Sequence, residues 1–168
     1  MTIGFILNGD DLVLETNAEN RLVDILRNDF GLLGTKTGCY SGRCGACLVI
    51  FKEPGSDPAS PSGIVVKSCL IPAFKVRNSE VITIEGFSQT DEYQDIVLGF
   101  NEAGLENCGF CNTGKILAIE ALLGRNTNPS RDEILSAFNG IKCRCTEPEE
   151  LVQAVMKTAE YRRRRLHG

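Results

Sequence analysis

The sequence predicts an α+β protein in two parts: a small β-sheet crossed by one helix over residues 1–86, and an all-α four-helix bundle over residues 87–168. Apolar residues first recur at every second position, and this alternation runs into Asn8-Gly9-Asp10, a strong β-hairpin signal. After Gly86 the apolar spacing changes to that of amphipathic helices. The eight cysteines also divide into two separate groups, one in each part.

The first part contains the elements of a β-grasp, ferredoxin-like fold. Ile3, Phe5 and Leu7 predict the first strand of the hairpin, and the alternation continues on a second strand. Asn20 is expected to cap a helix that runs through Asn28. Further strands are predicted at 48–51, 64–67 and 81–84, with a turn-rich loop at 53–63.

Four helices are predicted in the second part, over 91–103, over 113–123, from Ser130 onward, and from Glu147 to about Arg164. Ser130 and Glu133 have the spacing of a capping box. The arginine run 162–165 ends the last helix, and we interpret it as a solvated helix end rather than a docking patch.

Composition narrows the functional classes. With 18 basic and 22 acidic residues the net charge is −4, which favours a soluble acidic protein over one that binds nucleic acid. No segment approaches the roughly 20 apolar residues of a membrane helix, and the N-terminus lacks a secretion signal. We therefore expect a cytoplasmic protein, in a compartment where clustered cysteines more often bind metal than form disulfides.

The first cysteine group has the plant-type ligand spacing of a [2Fe–2S] cluster. It consists of Cys39, Cys44, Cys47 and Cys69. Glycines interleaved with these cysteines are expected to adopt positive φ and to turn backbone amides toward the cluster sulfurs, namely Gly38, Gly42 and Gly45. Arg43 is expected either to add positive charge near the cluster or to be a solvated loop residue.

The second cysteine group is less specific by spacing alone. Cys108, Cys111, Cys143 and Cys145 could hold either an iron–sulfur cluster or a structural zinc ion. Disulfides are disfavoured, since the cysteine content lies below the roughly 8–10% of disulfide scaffolds. Two clusters in so small a protein indicate a relay for single electrons.

The cysteine motifs together resemble one known family. They are Thr37-Gly-Cys-Tyr-Ser-Gly-Arg-Cys-Gly-Ala-Cys47, Ser68-Cys-Leu70, Cys108-Gly-Phe-Cys111 and Cys143-Arg-Cys-Thr146. In order and spacing they resemble the small iron–sulfur subunit of the molybdenum hydroxylases, the xanthine dehydrogenase and carbon monoxide dehydrogenase family. The resemblance covers essentially the whole chain and implies two [2Fe–2S] clusters, which settles the second group against zinc.

The resemblance also implies a function and partners. Such a chain is the non-catalytic electron-transfer subunit of an oxidoreductase, and substrate is oxidised on a large subunit with a molybdopterin–molybdenum cofactor. A medium subunit with FAD usually receives the electrons. By this analogy the second cysteine group holds the cluster nearer molybdenum, and the first group holds the one nearer flavin.

The sequence departs from the family pattern in several places. Where the family usually has a glutamine whose amide reaches the pterin, this chain has Asn107, one methylene shorter. Asn112-Thr113 and Glu147-Pro148 replace the family's Thr-Pro and Gly-Tyr. We interpret these changes as the mark of a divergent branch. A free-standing two-cluster ferredoxin and a zinc-binding adaptor are the alternative functions.

Overall fold

A computed structural model describes residues 1–56, 63–106 and 108–168. The predicted 53–63 loop lies partly outside the described residues, and Asn107 lies wholly outside them. The strands are β1 (Thr2–Leu7), β2 (Asp10–Glu15), β3 (Leu48–Lys52), β4 (Ile64–Lys67) and β5 (Glu80–Ile82). The α-helices are α1 (Leu22–Asp24), α2 (Ile84–Phe87), α3 (Asp91–Glu102), α4 (Asn112–Leu123), α5 (Arg131–Ala137) and α6 (Pro148–His167).

The strands form one five-stranded sheet in the order β2-β1-β5-β3-β4. The predicted hairpin is confirmed, because β1 and β2 pair antiparallel and Leu7 faces Asp10 across the turn. Asn8 and Gly9 have φ of 53° and 93°, the positive values that a two-residue turn between twisted strands requires. β5 runs parallel to β1 and antiparallel to β3, which places the end of the first part in the middle of its sheet.

The predicted first helix has a different start. Asn20 does not cap it; its amide donates to the Thr16 hydroxyl at 3.0 Å, and the helix begins after Arg21. Arg21 is held in extended conformation by a bridge to Pro72, so the helical turn cannot begin earlier. α1 then continues as a π-helix over Ile25–Asp29.

The last predicted strand, 81–84, is also wrong at its end. β5 stops at Ile82, because the Asn8 side chain accepts the Thr83 amide at 2.8 Å in place of a strand partner. Ile84 then begins the short helix α2, which the sequence reading did not predict.

The sheet is covered on both faces, and this joins the two parts of the chain. In β3, Leu48–Phe51 are all buried, as in strands packed between two layers. Val49 and Phe51 belong to the core beneath α1, whereas Ile50 belongs to the core of the helices. Helix α4 packs against β3 and β4 on one side and against α3 and α5 on the other.

The helices of the second part agree with their predicted positions within a few residues. Ser130 and Glu133 form the predicted capping box of α5. The interpretation of the arginine run in α6 as a solvated helix end is wrong at its first residue only: Arg164 and Arg165 are exposed, but Arg162 is only 4% exposed. It pairs with Asp95 and Glu120 because α6 packs along α3 and α4. Of the helices in the described ranges, none has the length and apolarity that crossing a membrane requires.

Candidate metal centres

Three backbone amides point at the sulfur of Cys39. The N–H groups of Ser41, Arg43 and Cys44 lie 3.4, 3.2 and 3.4 Å from Sγ. The Ser41 side chain also donates to it, and these hydrogen bonds lower the pKa of Cys39 to about 5. The loop therefore stabilises the thiolate, which is the form that binds iron.

Of the three glycines predicted to have positive φ, only two adopt the left-handed backbone conformation that gives the loop this shape. Gly42 and Gly45 have φ of 72° and 74°. Gly38 is not in the left-handed region, so the prediction of positive φ is wrong there; a Cβ on Gly38 would lie 3.1 Å from the Cys44 sulfur. The third left-handed residue is Tyr40, with φ of 51°.

Tyr40 is a positioning residue that sequence reasoning did not single out as an anchor. Its hydroxyl donates to Asp24 at 3.0 Å, and Arg21 donates to its carbonyl at 3.0 Å while lying over the ring. These contacts fasten the cysteine loop to α1. The Arg43 guanidinium, expected to supply charge, instead donates to the Ser41 hydroxyl at 3.1 Å, and its backbone amide is the group that faces Cys39.

Two of the four cysteines in the first group are buried. Cys47 and Cys69 are 2% and 4% exposed and pack with Val23. Desolvation, assisted by contact with Cys69, raises the pKa of Cys47 to about 11. Ser68 fixes the approach of this pair, since both its amide and its hydroxyl donate to the Cys47 carbonyl, at 3.1 and 2.7 Å.

The second cysteine group lies where α4 begins and just before α6. Cys111 is the residue that precedes α4 and is 4% exposed, while Cys108 and Cys145 are exposed. The Phe110 amide and the Cys145 side chain hydrogen-bond to Cys108 and lower its pKa. The Cys145 amide lies 3.4 Å from the Cys143 sulfur.

Lys115 is a member of this second site that sequence reasoning missed. Although burial of Cys143 opposes ionisation, hydrogen bonds from the Cys145 amide and from the Cys111, Lys115 and Thr146 side chains outweigh it and lower the pKa of Cys143 to about 6. The available signal was a lysine in a mostly apolar helical run, directly after Gly114.

Six of the eight thiols approach one another in pairs. Cys47 contacts Cys69 in the first group, and in the second Cys108 contacts Cys145 and Cys111 contacts Cys143. None of the eight cysteines forms a disulfide. Within the ranges that the structure describes, no three acidic, histidine or cysteine side chains converge as they would around one metal ion. Paired thiols, with amides directed at the sulfurs, fit a cluster in which each of two irons binds two cysteines.

The first and second cysteine groups lie close together, because the two parts of the chain are in backbone contact there. The Lys142 amide donates to the Cys44 carbonyl at 2.9 Å, and Lys142 immediately precedes Cys143. Glycines permit this approach: a Cβ on Gly114 would lie 2.5 Å from the Gly45 carbonyl oxygen, and one on Gly45 would lie 2.5 Å from the Gly140 carbonyl oxygen.

Comparison with known proteins shows to which family this chain belongs. Residues 5–73 match the family model of the 2Fe-2S iron-sulfur cluster binding domain, and residues 83–156 match that of the [2Fe-2S] binding domain. The nicotinate dehydrogenase small FeS subunit of Eubacterium barkeri is 39% identical over 160 residues, which cover 95% of this chain and 96% of that protein. The chain belongs to the small iron–sulfur subunits of the molybdenum hydroxylases.

Solved structures show the same fold for this iron–sulfur subunit. Quinoline 2-oxidoreductase from Pseudomonas putida 86 matches with a TM-score of 0.82 and 32% identity, over 98% of this chain and 96% of that chain. The aldehyde oxidoreductase of Desulfovibrio gigas matches with a TM-score of 0.82 and 33% identity, over 98% of this chain but only 17% of that chain. The predicted fold class and the electron-transfer function are thus confirmed, with two [2Fe–2S] domains in one subunit of an oxidoreductase.

Proposed function

We propose that this subunit relays single electrons from a molybdopterin–molybdenum site on a large partner to FAD on a second partner. Cys108, Cys111, Cys143 and Cys145 would hold the cluster that receives the electrons, and Cys39, Cys44, Cys47 and Cys69 the cluster that passes them on. Each cluster supplies a centre that accepts and releases one electron. We also propose that the chain divides into its two domains near residue 86.

The observation that carries this proposal is a backbone hydrogen bond that links the first cysteine group to the second. The Lys142 amide donates to the Cys44 carbonyl at 2.9 Å. Cys44 belongs to one proposed ligand set, and Lys142 is bonded to Cys143 of the other. The path between the two proposed ligand sets therefore runs from the Cys44 backbone across one hydrogen bond to Lys142 and along the chain to Cys143.

The exposure of the second site favours a subunit over a free-standing ferredoxin. Cys108 and Cys145 are exposed on this chain, and Phe110 beside them is 48% exposed. A ligand pair and an aromatic ring at the surface suit a site that a partner covers, since burial and exclusion of water contribute to the reduction potential. The much longer aldehyde oxidoreductase, of which this chain matches 17%, is also consistent with a large partner.

The test of the relay is anaerobic purification of the tagged subunit from its native host, with the co-purifying chains identified and metals and flavin measured. Two larger chains, together with molybdenum, FAD and iron matching two clusters per subunit, would support the proposal. A lone brown protein would demote it to a ferredoxin, and zinc in place of iron would contradict both redox functions.

The ligand assignment has its own test. Cys44→Ser should remove the spectroscopic signal of one cluster, and Cys111→Ser that of the other, because the two residues belong to different proposed sets. Loss of both signals from either variant, with the helical circular dichroism unchanged, would show that the division into two sets is wrong.

The relatives favour a nitrogen-containing aromatic ring as the substrate class of the complete enzyme. One is a nicotinate dehydrogenase subunit and another a quinoline 2-oxidoreductase. Screening the purified complex with nicotinate, quinoline, aldehydes and purines tests this proposal. Turnover of aldehydes alone would contradict it.

A further inference from the structure

Lys115 is a lysine in the interior of the protein. It is 1% exposed and is the largest fully buried side chain in the described residues. Lysine is almost never buried to this degree unless it is paired, because removing the ammonium from water is costly. Its burial in α4, one turn after Cys111, therefore needs a compensating partner.

The partners of Lys115 belong to the second thiol group. Its Nζ donates to the Thr146 hydroxyl at 2.8 Å, and the same ammonium hydrogen-bonds to the Cys143 side chain. It also interacts electrostatically with Cys111. The positive charge is thus directed at two of the four proposed ligands.

Those two ligands form the inner pair of the site. Cys111 and Cys143 contact each other, whereas Cys108 and Cys145 form the exposed pair. Lys115 therefore lies on the protein side of the site, away from solvent. This is also the side from which Cys143 leads through Lys142 to the first thiol group.

We propose that the Lys115 ammonium raises the reduction potential of the cluster in the second site. This inference rests on the ligand assignment proposed above. Reduction adds a negative charge to a site that already carries thiolates, and a positive charge in a poorly solvated interior stabilises that added charge more than it would in water. Lys115 thus tunes the second cluster, which accepts an electron more readily than it would without the Lys115 charge.

The experiment is a redox titration of the complete complex, followed by electron paramagnetic resonance, for the wild type and Lys115→Met. Methionine has a similar length but carries no charge. At a fixed potential near the midpoint, the reduced-to-oxidised ratio of the second cluster should fall about tenfold, equivalent to about 59 mV for a one-electron couple. In the same samples, the reduced-to-oxidised ratio of the first cluster should change less than about twofold. The Lys115 charge lies farther from that cluster and is screened more strongly there.

Matched variants separate charge from other effects. Lys115→Arg keeps the charge and should stay near the wild type, whereas Lys115→Gln keeps a hydrogen-bond donor without the charge and should shift as methionine does. Lys142→Met removes an exposed charge next to Cys143 and should have a much smaller effect. The midpoint is read from whatever second-cluster signal remains, so partial loss of the cluster does not obscure the result.

Two different outcomes would contradict two different claims. A second signal whose midpoint is unchanged in Lys115→Met, or is restored in Lys115→Gln, would overturn the role of the Lys115 charge. Absence of a second signal from the wild-type complex would instead contradict the ligand assignment.

Discussion

Replacing Arg162 with methionine is expected to destabilise the helical part of the protein by about 3–5 kcal/mol, the usual cost of removing one partner from a buried ion pair. Arg162 is 4% exposed at its side chain and lies 3.2 Å from Asp95 and 2.7 Å from Glu120, which are 6% and 13% exposed. It also donates to the Glu92 carbonyl at 3.0 Å. Asp95 keeps a second cation, Arg165, at 2.9 Å, so the expected loss is near the lower limit, about 3 kcal/mol.

A matched control stands two residues further along the same helix. Arg164 is 69% exposed and pairs with Glu160, one turn back on α6. Arg164→Met should cost less than about 1 kcal/mol, because solvent and salt screen exposed pairs. The assay is anaerobic urea unfolding of the isolated subunit, followed by helical circular dichroism. Equal effects of the two substitutions would refute the conclusion that Arg162 is a core residue.

The pH dependence of the Arg162 variant follows from Glu120. Desolvation raises the pKa of Glu120, and Arg162 opposes that rise. Without Arg162 the folded-state pKa rises further above the unfolded value of about 4.3. The folded state then binds the proton more tightly, so stability is regained as pH falls through the raised pKa toward the unfolded value, and is lost as pH rises.

The expected measurement is therefore a smaller loss of unfolding free energy at pH 5 than at pH 8. Adding Glu120→Gln to Arg162→Met removes the unpaired charge, and should restore part of the stability and abolish this pH dependence. A loss independent of pH in the single variant would show that lost packing, rather than an uncompensated carboxylate, causes the destabilisation.

Two further predictions concern the junction between the parts and Asn107, the position at which the family resemblance implies a contact with the pterin. Gly114→Ala places a methyl group 2.5 Å from the Gly45 carbonyl oxygen, so it should lower the unfolding free energy by about 1–3 kcal/mol, measured by the same urea titration. An unchanged unfolding midpoint would show that α4 can move away from the cysteine loop at no cost. Asn107→Gln should leave both cluster potentials nearly unchanged in a redox titration and alter, if anything, coupling to the molybdenum site. A large shift of either potential would argue against a pterin-facing position.

The sequence by itself determined the features that depend on neighbouring residues. The Asn8-Gly9 hairpin, the Ser130–Glu133 capping box and the approximate positions of the helices after Gly86 follow from turn chemistry and periodicity, which operate within a few residues. The cysteine spacings likewise predicted two separate thiol groups, and the family resemblance predicted their cofactors. The two sets of cysteine ligands could therefore be predicted without any tertiary structure.

Only the tertiary structure decided which charged residues are buried and how the two parts meet. Arg162 reads as the start of a solvated arginine run, and Lys115 as one cation in an apolar helix. Their burial depends on Asp95 and Glu120 in one case, and on Cys143 and Thr146 in the other. These partners lie 28 or more positions away in the chain, and whether a charge is tolerated in the interior depends on the groups that folding brings beside it rather than on its sequence neighbours.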